Sequence, residues 1–175
     1  METGNDKEEL IKLIKTNKEI VYKICNSYCY NKDDREDLAQ EIIYQLWRSG
    51  HTFHGDFKFS TWMYRVALNV AISFYRKNKR TQSFVSFTDI NIDIEDSTDD
   101  SENEYEQRRK QLQFFINELN ELDKALIILF LEAKSYKEIA EILGITESNV
   151  ATRINRIKDT MKLKIINSNK QKYGR

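Results

Sequence analysis

Residues 135–154 read Ser-Tyr-Lys-Glu-Ile-Ala-Glu-Ile-Leu-Gly-Ile-Thr-Glu-Ser-Asn-Val-Ala-Thr-Arg-Ile, and this stretch decides how the C-terminal part of the chain folds. Ser135 with Glu138 three residues later makes a capping box, each side chain satisfying a backbone N–H that the first helical turn leaves without a partner. The helix it opens runs from Tyr136 to Leu143, with Ile139 and Leu143 facing a core. Ala140 is small where a second helix must cross closely, and Gly144 supplies the tight turn between the two. Thr146 caps the second helix, whose Val150, Ile154 and Ile157 face inward. Its other face carries Ser148, Asn149, Thr152, Arg153, Arg156 and Lys158. A helix presented in this way can enter the major groove, its early residues at base edges and its Arg and Lys at phosphates. The plainer alternative is a helical hairpin with a solvated basic face. Two caps, a small Ala, a turn Gly and an inward Val at the required spacing favour DNA binding.

Working outward, the chain divides by charge. It has 175 residues, 28 basic and 28 acidic, no Pro and only five Gly, a composition that favours helix throughout. Residues 1–80 hold 14 basic and 11 acidic side chains, and residues 108–175 hold 14 and eight. Between them, 81–107 has nine acidic residues and no basic one, which makes it an acidic flexible linker. Two basic modules on an acidic tether suit a polyanion-binding protein. The expected fold is all-α: two small helical domains, 1–80 and 108–175, joined by that linker. No apolar run approaches the roughly 20 residues that span a bilayer, so no membrane insertion is expected. Cys25 and Cys29, without a signal peptide, point to a reducing cytoplasmic setting.

In the N-terminal module, Leu10, Ile14, Val21, Ile24, Cys25 and Tyr28 recur at helical spacing and predict one amphipathic helix. Asp33 or Asp34 is placed to cap a second, through Leu38, Ile42, Leu46 and Trp47, which stops at Gly50 in a left-handed C-terminal cap. A loop over residues 51–58 leads to a third helix beginning at Ser60 or Thr61. It runs through Trp62, Val66, Val70 and Phe74 into the basic run Arg76-Lys77-Asn78-Lys79-Arg80. Phe59, Trp62, Tyr64, Phe74 and Tyr75 are too many aromatics for so small a core. Some are therefore expected at the surface, where unpaired bases stack on rings and basic residues track the backbone.

The run Asp37-Leu-Ala-Gln40-Glu41-Ile-Ile-Tyr-Gln-Leu46-Trp47, then Phe53-His-Gly55-Asp56-Phe-Lys-Phe59-Ser-Thr-Trp62-Met-Tyr-Arg65-Val-Ala67-Leu-Asn69, then Arg76, resembles region 2 of the extracytoplasmic-function sigma factors of bacterial RNA polymerase. The C-terminal module resembles their region 4. Together the two cover roughly residues 10–166. The resemblance implies a sigma factor that directs the polymerase core to promoters and starts transcription, in an alternative, stress or cell-envelope response. It implies that Asp37, Gln40 and Glu41, otherwise an ordinary solvated stripe, dock on the clamp helices of the β′ subunit.

The resemblance further implies that the third helix and the loop before it recognise the minus-10 element and hold a flipped base. Candidates there are His54, Asp56, Lys58, Trp62, Arg65, Asn69, Arg76, Lys77 and Arg80, with Asn69 foremost for a base contact; Trp62 reads first as core. For the minus-35 element the candidates are Thr146, Ser148, Asn149, Thr152, Arg153, Arg156 and Lys158, with the polymerase β flap alongside. A regulatory anti-sigma factor is the further partner the family implies. Departures from the family pattern are Ser73 for an Asp, Asp123 for the Pro of a Leu-Pro pair, Ala133 for Gly and Ala151 for Lys.

Two other classes compete. A free-standing helix-turn-helix repressor or activator would need neither the acidic linker nor the Asp37 stripe. A zinc protein could use Cys25, Cys29, His51 and His54 on paper, yet cysteines at helical spacing are more often small buried apolar residues. No phosphate-cradling glycine loop and no paired carboxylates in an apolar setting are present, so neither an enzyme, a cofactor nor a bound metal is expected.

Overall fold

The computed structural model describes residues 4–81 and 111–173, with side chains over 7–77 and 111–166. Apart from Thr81, the linker expected over 81–107 lies outside the described residues. The described chain runs α1 (Gly4–Thr16), α2 (Lys18–Tyr28), α3 (Lys32–Ser49), a 3-10 turn (Gly50–Thr52), α4 (Phe59–Thr81), α5 (helical over 111–118), α6 (Glu121–Leu131), α7 (Tyr136–Leu143) and α8 (Glu147–Tyr173). The all-α expectation is met, and no strand occurs among the described residues.

In the N-terminal unit α2, α3 and α4 pack on one another, with α1 against α3. Leu38, Ile42 and Leu46 recur every four residues, so one stripe of α3 is buried against Ile24, Met63 and Leu68. Each such side chain contributes about 1.5–3 kcal/mol. The C-terminal unit closes α6, α7 and α8 over Leu126, Leu129, Ile139, Val150, Ile154 and Ile157. The units also meet: α4 packs against α6 and α7, and α2 against α6, so the buried residues form one continuous cluster.

The helix-turn-helix forms as its residues dictate. Ser135 Oγ accepts from the Glu138 N–H, and the Glu138 carboxylate accepts from the Ser135 N–H at 2.9 Å. Gly144 is left-handed at φ 67°, and Thr146 Oγ1 accepts from the Asn149 N–H at 3.2 Å. Ile142 rather than Leu143 is fully sealed beside Ile139, and Leu143 is half-buried.

The N-terminal unit departs from the sequence expectation in several places. The first helix is two helices, broken at Asn17. Thr16 Oγ1 donates to the Lys12 carbonyl and Asn17 Nδ2 to the Leu13 carbonyl, side chains competing with the helical ladder although the apolar period runs straight through. The cap of α3 is Asn31, not Asp33 or Asp34: its Oδ1 accepts from the Asp34 N–H while its Nδ2 donates to the Asp34 carboxylate. Gly50 is right-handed (φ −53°) and opens the 3-10 turn. Its missing side chain instead makes room for Leu10, which a Cβ there would strike. The last helix of this unit starts at Phe59, one residue before the expected Ser60, and its sealed residues are Trp62, Met63, Tyr64, Ala67, Leu68 and Ala71, with Val66, Val70 and Phe74 half-buried.

Candidate nucleic-acid interface

The C-terminal unit covers one side of α4, and this overturns the expectation of exposed rings on that helix. Tyr64 is buried, and Phe59, Phe74 and Tyr75 are half-buried. The Tyr64 hydroxyl donates to Glu132 Oε2 at 3.2 Å, and Lys134 Nζ lies 5.6 Å from the Tyr64 ring centre. Tyr28 meets Tyr75 edge to face, and its hydroxyl donates to the Glu121 carbonyl at 2.6 Å. Lys124 is fully buried, its ammonium 4.7 Å from the Tyr75 ring centre. Burial raises the Tyr28 and Tyr64 hydroxyls above the ordinary tyrosine range, so both stay protonated donors.

What α4 leaves open is a polar stripe. Arg65, Asn69, Ser73 and Arg76 succeed one another at intervals of four, four and three residues, all exposed. Lys77 is exposed beside them, and of Arg80 only the backbone is described. Arg76 is engaged: its Nε donates to Glu121 Oε1 at 2.7 Å. Before α4, His54, Asp56 and Lys58 are exposed on the loop, where Gly55 has φ +80°. Trp62 does not offer a ring face. It is sealed against Phe53 and Phe59, and its indole N–H donates to Thr52 Oγ1 at 3.0 Å. It pins the loop to the helix, as its core reading anticipates.

On α3, Asp37, Gln40 and Glu41 share an exposed stripe opposite Leu38, Ile42 and Leu46. The stripe continues further than the sequence reading took it. Ile43, Tyr44 and Trp47 are each about half exposed, so Trp47 is not a core residue. The signal was available in the spacing: 37, 40, 41, 44 and 47 all fall on one helical face. Polar groups bordering an exposed apolar patch have the make-up of a protein-binding surface.

On α8, Ser148, Asn149 and Thr152 are exposed in the first turns, with Thr146 at the cap. The basic residues are less free than the sequence suggests. Arg153 Nη1 donates to Asp123 Oδ1 at 2.8 Å and Arg156 Nη2 to Asp123 Oδ2 at 3.1 Å. Lys158 Nζ stands 4.3 Å from the Phe130 ring centre. Asp123, which the sequence marked only as a departure from the family pattern, is the buried carboxylate that gathers the two arginines.

Cys25 and Cys29 are buried free thiols, pushed up to about 12 and about 11 chiefly by burial. Among the described residues no three His, Cys, Asp or Glu side chains converge to hold a metal ion. Among the described residues no helix is long and apolar enough to cross a membrane.

The fold and its faces define a DNA-binding protein of two helical units, the second a helix-turn-helix. Residues 13–81 match sigma-70 region 2, and residues 109–161 match sigma-70 region 4. The RNA polymerase sigma factor SigV of Bacillus subtilis is 31% identical over 157 residues, which cover 89% of this chain and 90% of that one. The ECF RNA polymerase sigma factor SigW of the same organism is 28% identical over 171 residues, covering 90% and 89%. Among solved structures, the sigma factor RpoE from Bartonella quintana, in complex with the anti-sigma factor NepR, shares the fold with a TM-score of 0.62 at 20% identity, covering 91% of this chain and 96% of that one. The chain belongs to the extracytoplasmic-function sigma factors of the sigma-70 family, and it acts as a transcription initiation factor with RNA polymerase core and promoter DNA as its partners.

Proposed function

We propose that residues 1–80 dock on the polymerase and capture the opened minus-10 strand, that residues 108–175 read the minus-35 duplex, and that 81–107 tether the two. The observation that carries this reading is the separation of the readers: a polar and basic stripe on α4 (Arg65, Asn69, Arg76) and the first turns of α8 (Ser148, Asn149, Thr152) belong to different units. In this reading Asp37, Gln40 and Glu41, extended by Tyr44 and Trp47, meet the clamp helices of the β′ subunit, and α8 works beside the β flap. His54, Asp56 and Lys58 border the flipped base, with Lys77 and Arg80 on the strand behind it. The protein works in the cytoplasm, without catalytic activity of its own, in a stress or envelope response, and an anti-sigma factor restrains it.

Geometry adds a requirement. The two promoter elements lie roughly 25 base pairs apart, about 85 Å of duplex at 3.4 Å per step. Units in direct contact cannot reach both, so they separate on the promoter. Residues 82–110 reach at most about 100 Å when extended, enough to allow it. The decisive experiment is transcription with purified core polymerase and the full chain on a promoter library. Core-dependent initiation from a discrete set of promoters is expected. DNA binding without any core-dependent initiation would overturn the reading in favour of a free-standing regulator.

A further inference from the structure

We propose that Asp123 is a positioning residue for sequence reading: through Arg153 it holds the Asn149 carboxamide with its oxygen turned back onto the protein and its NH2 toward the groove, so that α8 selects a base with an acceptor edge over cytosine. The proposal rests on the reading of α8 as the helix that enters the major groove.

The network is explicit. Asp123 sits in the first turn of α6 and is buried, and each of its carboxylate oxygens is used. Oδ1 accepts from Arg153 Nη1 at 2.8 Å. Oδ2 accepts from Arg156 Nη2 at 3.1 Å and from Asn120 Nδ2 at 2.7 Å, and Asn120 Oδ1 in turn accepts from the Asp123 N–H at 3.0 Å. The carboxylate is therefore fixed from its own helix before it meets α8. Arg153 then uses a second donor: its Nε bonds Asn149 Oδ1 at 2.9 Å.

A buried ion pair alone would say little about function, since such pairs are often energetically neutral. The second bond changes that, because it ends on an exposed side chain in the first turn of the recognition helix. The two residues are four apart, so they share one helical face. A guanidinium has five donors and no acceptor, which settles the orientation of the amide: the oxygen must face Arg153 and the NH2 must face away. The Asn149 backbone N–H is already taken by Thr146 Oγ1, so the cap holds the main chain while Arg153 holds the side chain.

An unrestrained asparagine turns about its last torsion and offers either end to a base. Held this way, Asn149 offers donors first. Guanine presents O6 and N7, thymine O4 and adenine N7 as acceptors in the major groove, whereas cytosine presents only its N4 donor. The position that Asn149 meets should therefore exclude cytosine. The selectivity comes from a residue on another helix that never touches DNA.

The test uses the full chain with purified core polymerase on promoters whose minus-35 duplex is randomised and whose minus-10 element is constant. Sequencing of the transcribed templates gives the base preference at each position. For the unaltered chain, one minus-35 position should be depleted of cytosine by about fivefold or more. Asn149→Ala should abolish that depletion. Asp123→Asn should reduce it to under about twofold at that position alone, Asp123→Glu should restore it, and adding Asp123→Asn to Asn149→Ala should change nothing further there. A uniform drop in transcription across all sequences with preferences intact would make Asp123 merely structural and overturn the proposal. An effect of Asp123→Asn at that position that persists in the Asn149→Ala background would overturn it as well. If Asp123→Asn fails to fold by circular dichroism, Arg153→Lys is read instead, because a single ammonium does not bridge both partners as the guanidinium does. The underlying reading fails differently: the unaltered chain would then transcribe no library member, or show no selection anywhere in the minus-35 duplex.

Discussion

The double variant Tyr28→Phe/Glu132→Ala should loosen the two units from each other and tighten binding to polymerase core. The Tyr28 hydroxyl is buried and donates to the Glu121 carbonyl at 2.6 Å, so its removal costs about 1 kcal/mol. The carbonyl itself is not orphaned, because it also begins the ladder of α6. Glu132 accepts from Tyr64 at 3.2 Å and from Lys23 at 2.8 Å. Loss of the first leaves a buried hydroxyl without its acceptor, again about 1 kcal/mol. The second joins side chains 47% and 28% exposed, so screening holds it to about 0.5 kcal/mol. Tyr28 and Glu132 share no partner, so the two substitutions should add to about 2–3 kcal/mol, a factor of about 30 to 150 in the ratio of open to closed forms.

On the proposed reading the units separate when the chain engages polymerase and promoter, and the apparent affinity for core should then scale with the open fraction. The variant should therefore bind core more tightly, by up to that factor and by less once the open form predominates. Fluorescence titration of labelled core measures the affinity, and small-angle scattering should show a larger radius of gyration. Neither substitution touches the α3 stripe or the polar stripe of α4. Unchanged or weaker binding by a variant that still folds would refute the idea that the contact between units opposes polymerase docking.

Three further outcomes are expected. Ala133 has φ +55°, a left-handed conformation that an L side chain resists, so Ala133→Gly should raise the unfolding midpoint in urea by the equivalent of about 0.5–1 kcal/mol. Cys25 and Cys29, with thiols raised to about 12 and about 11, should resist a thiol reagent at pH 8 and react together on unfolding; because the folded values exceed the ordinary 9.0, their contribution to stability is full below pH 9 and falls as pH rises through 11–12. The Glu138 carboxyl is held below its ordinary 4.5 by the Ser135 N–H and hydroxyl, so its contribution is present above pH 4.5 and lost as pH falls through the lowered value; Glu138→Gln, which keeps the capping oxygen, should flatten thermal stability against pH in that acid range.

The helix-turn-helix was legible almost residue by residue because its determinants are local: a capping box, a left-handed glycine and a threonine cap each act within four residues. The N-terminal unit was less so wherever a distant residue decided the outcome. Gly50 looked like a left-handed cap, but it is glycine because Leu10, 40 positions earlier, lies against it. Rings on α4 looked too numerous to bury, and a count within one module could not anticipate that α6 and the turn after it would meet Tyr64 and Tyr75. Trp47 groups with Leu38, Ile42 and Leu46 as an apolar residue of its helix, although its spacing from Asp37 and Gln40 places it on the open face. Asp123 was visible only as an oddity. Its partners lie 30 and 33 residues away, and nothing in a linear pattern reports an ion pair at that separation.

The make-up of the contact between the units bears on how a closed form fits the proposed function, which requires opening. The polar groups there include Tyr28, Tyr64, Tyr75, Lys23, Lys124, Arg76, Glu121 and Glu132, side chains whose polar ends water satisfies once they are exposed, set around the apolar residues that join the two units in one buried cluster. Polar contacts of this kind are typical of surfaces that separate within a chain, and the apolar part of the contact adds to the cost of opening. The closed form also engages the two readers unequally. Arg76 of the polar stripe on α4 is tied to Glu121 of the other unit, while Ser148, Asn149 and Thr152 at the start of α8 face outward. On the proposed reading, the duplex-reading face is thus available before the units part, and the full strand-capturing stripe, Arg76 included, only afterwards. A chain that works in the proposed way would meet double-stranded promoter DNA while closed and complete its second reader only when polymerase draws the units apart.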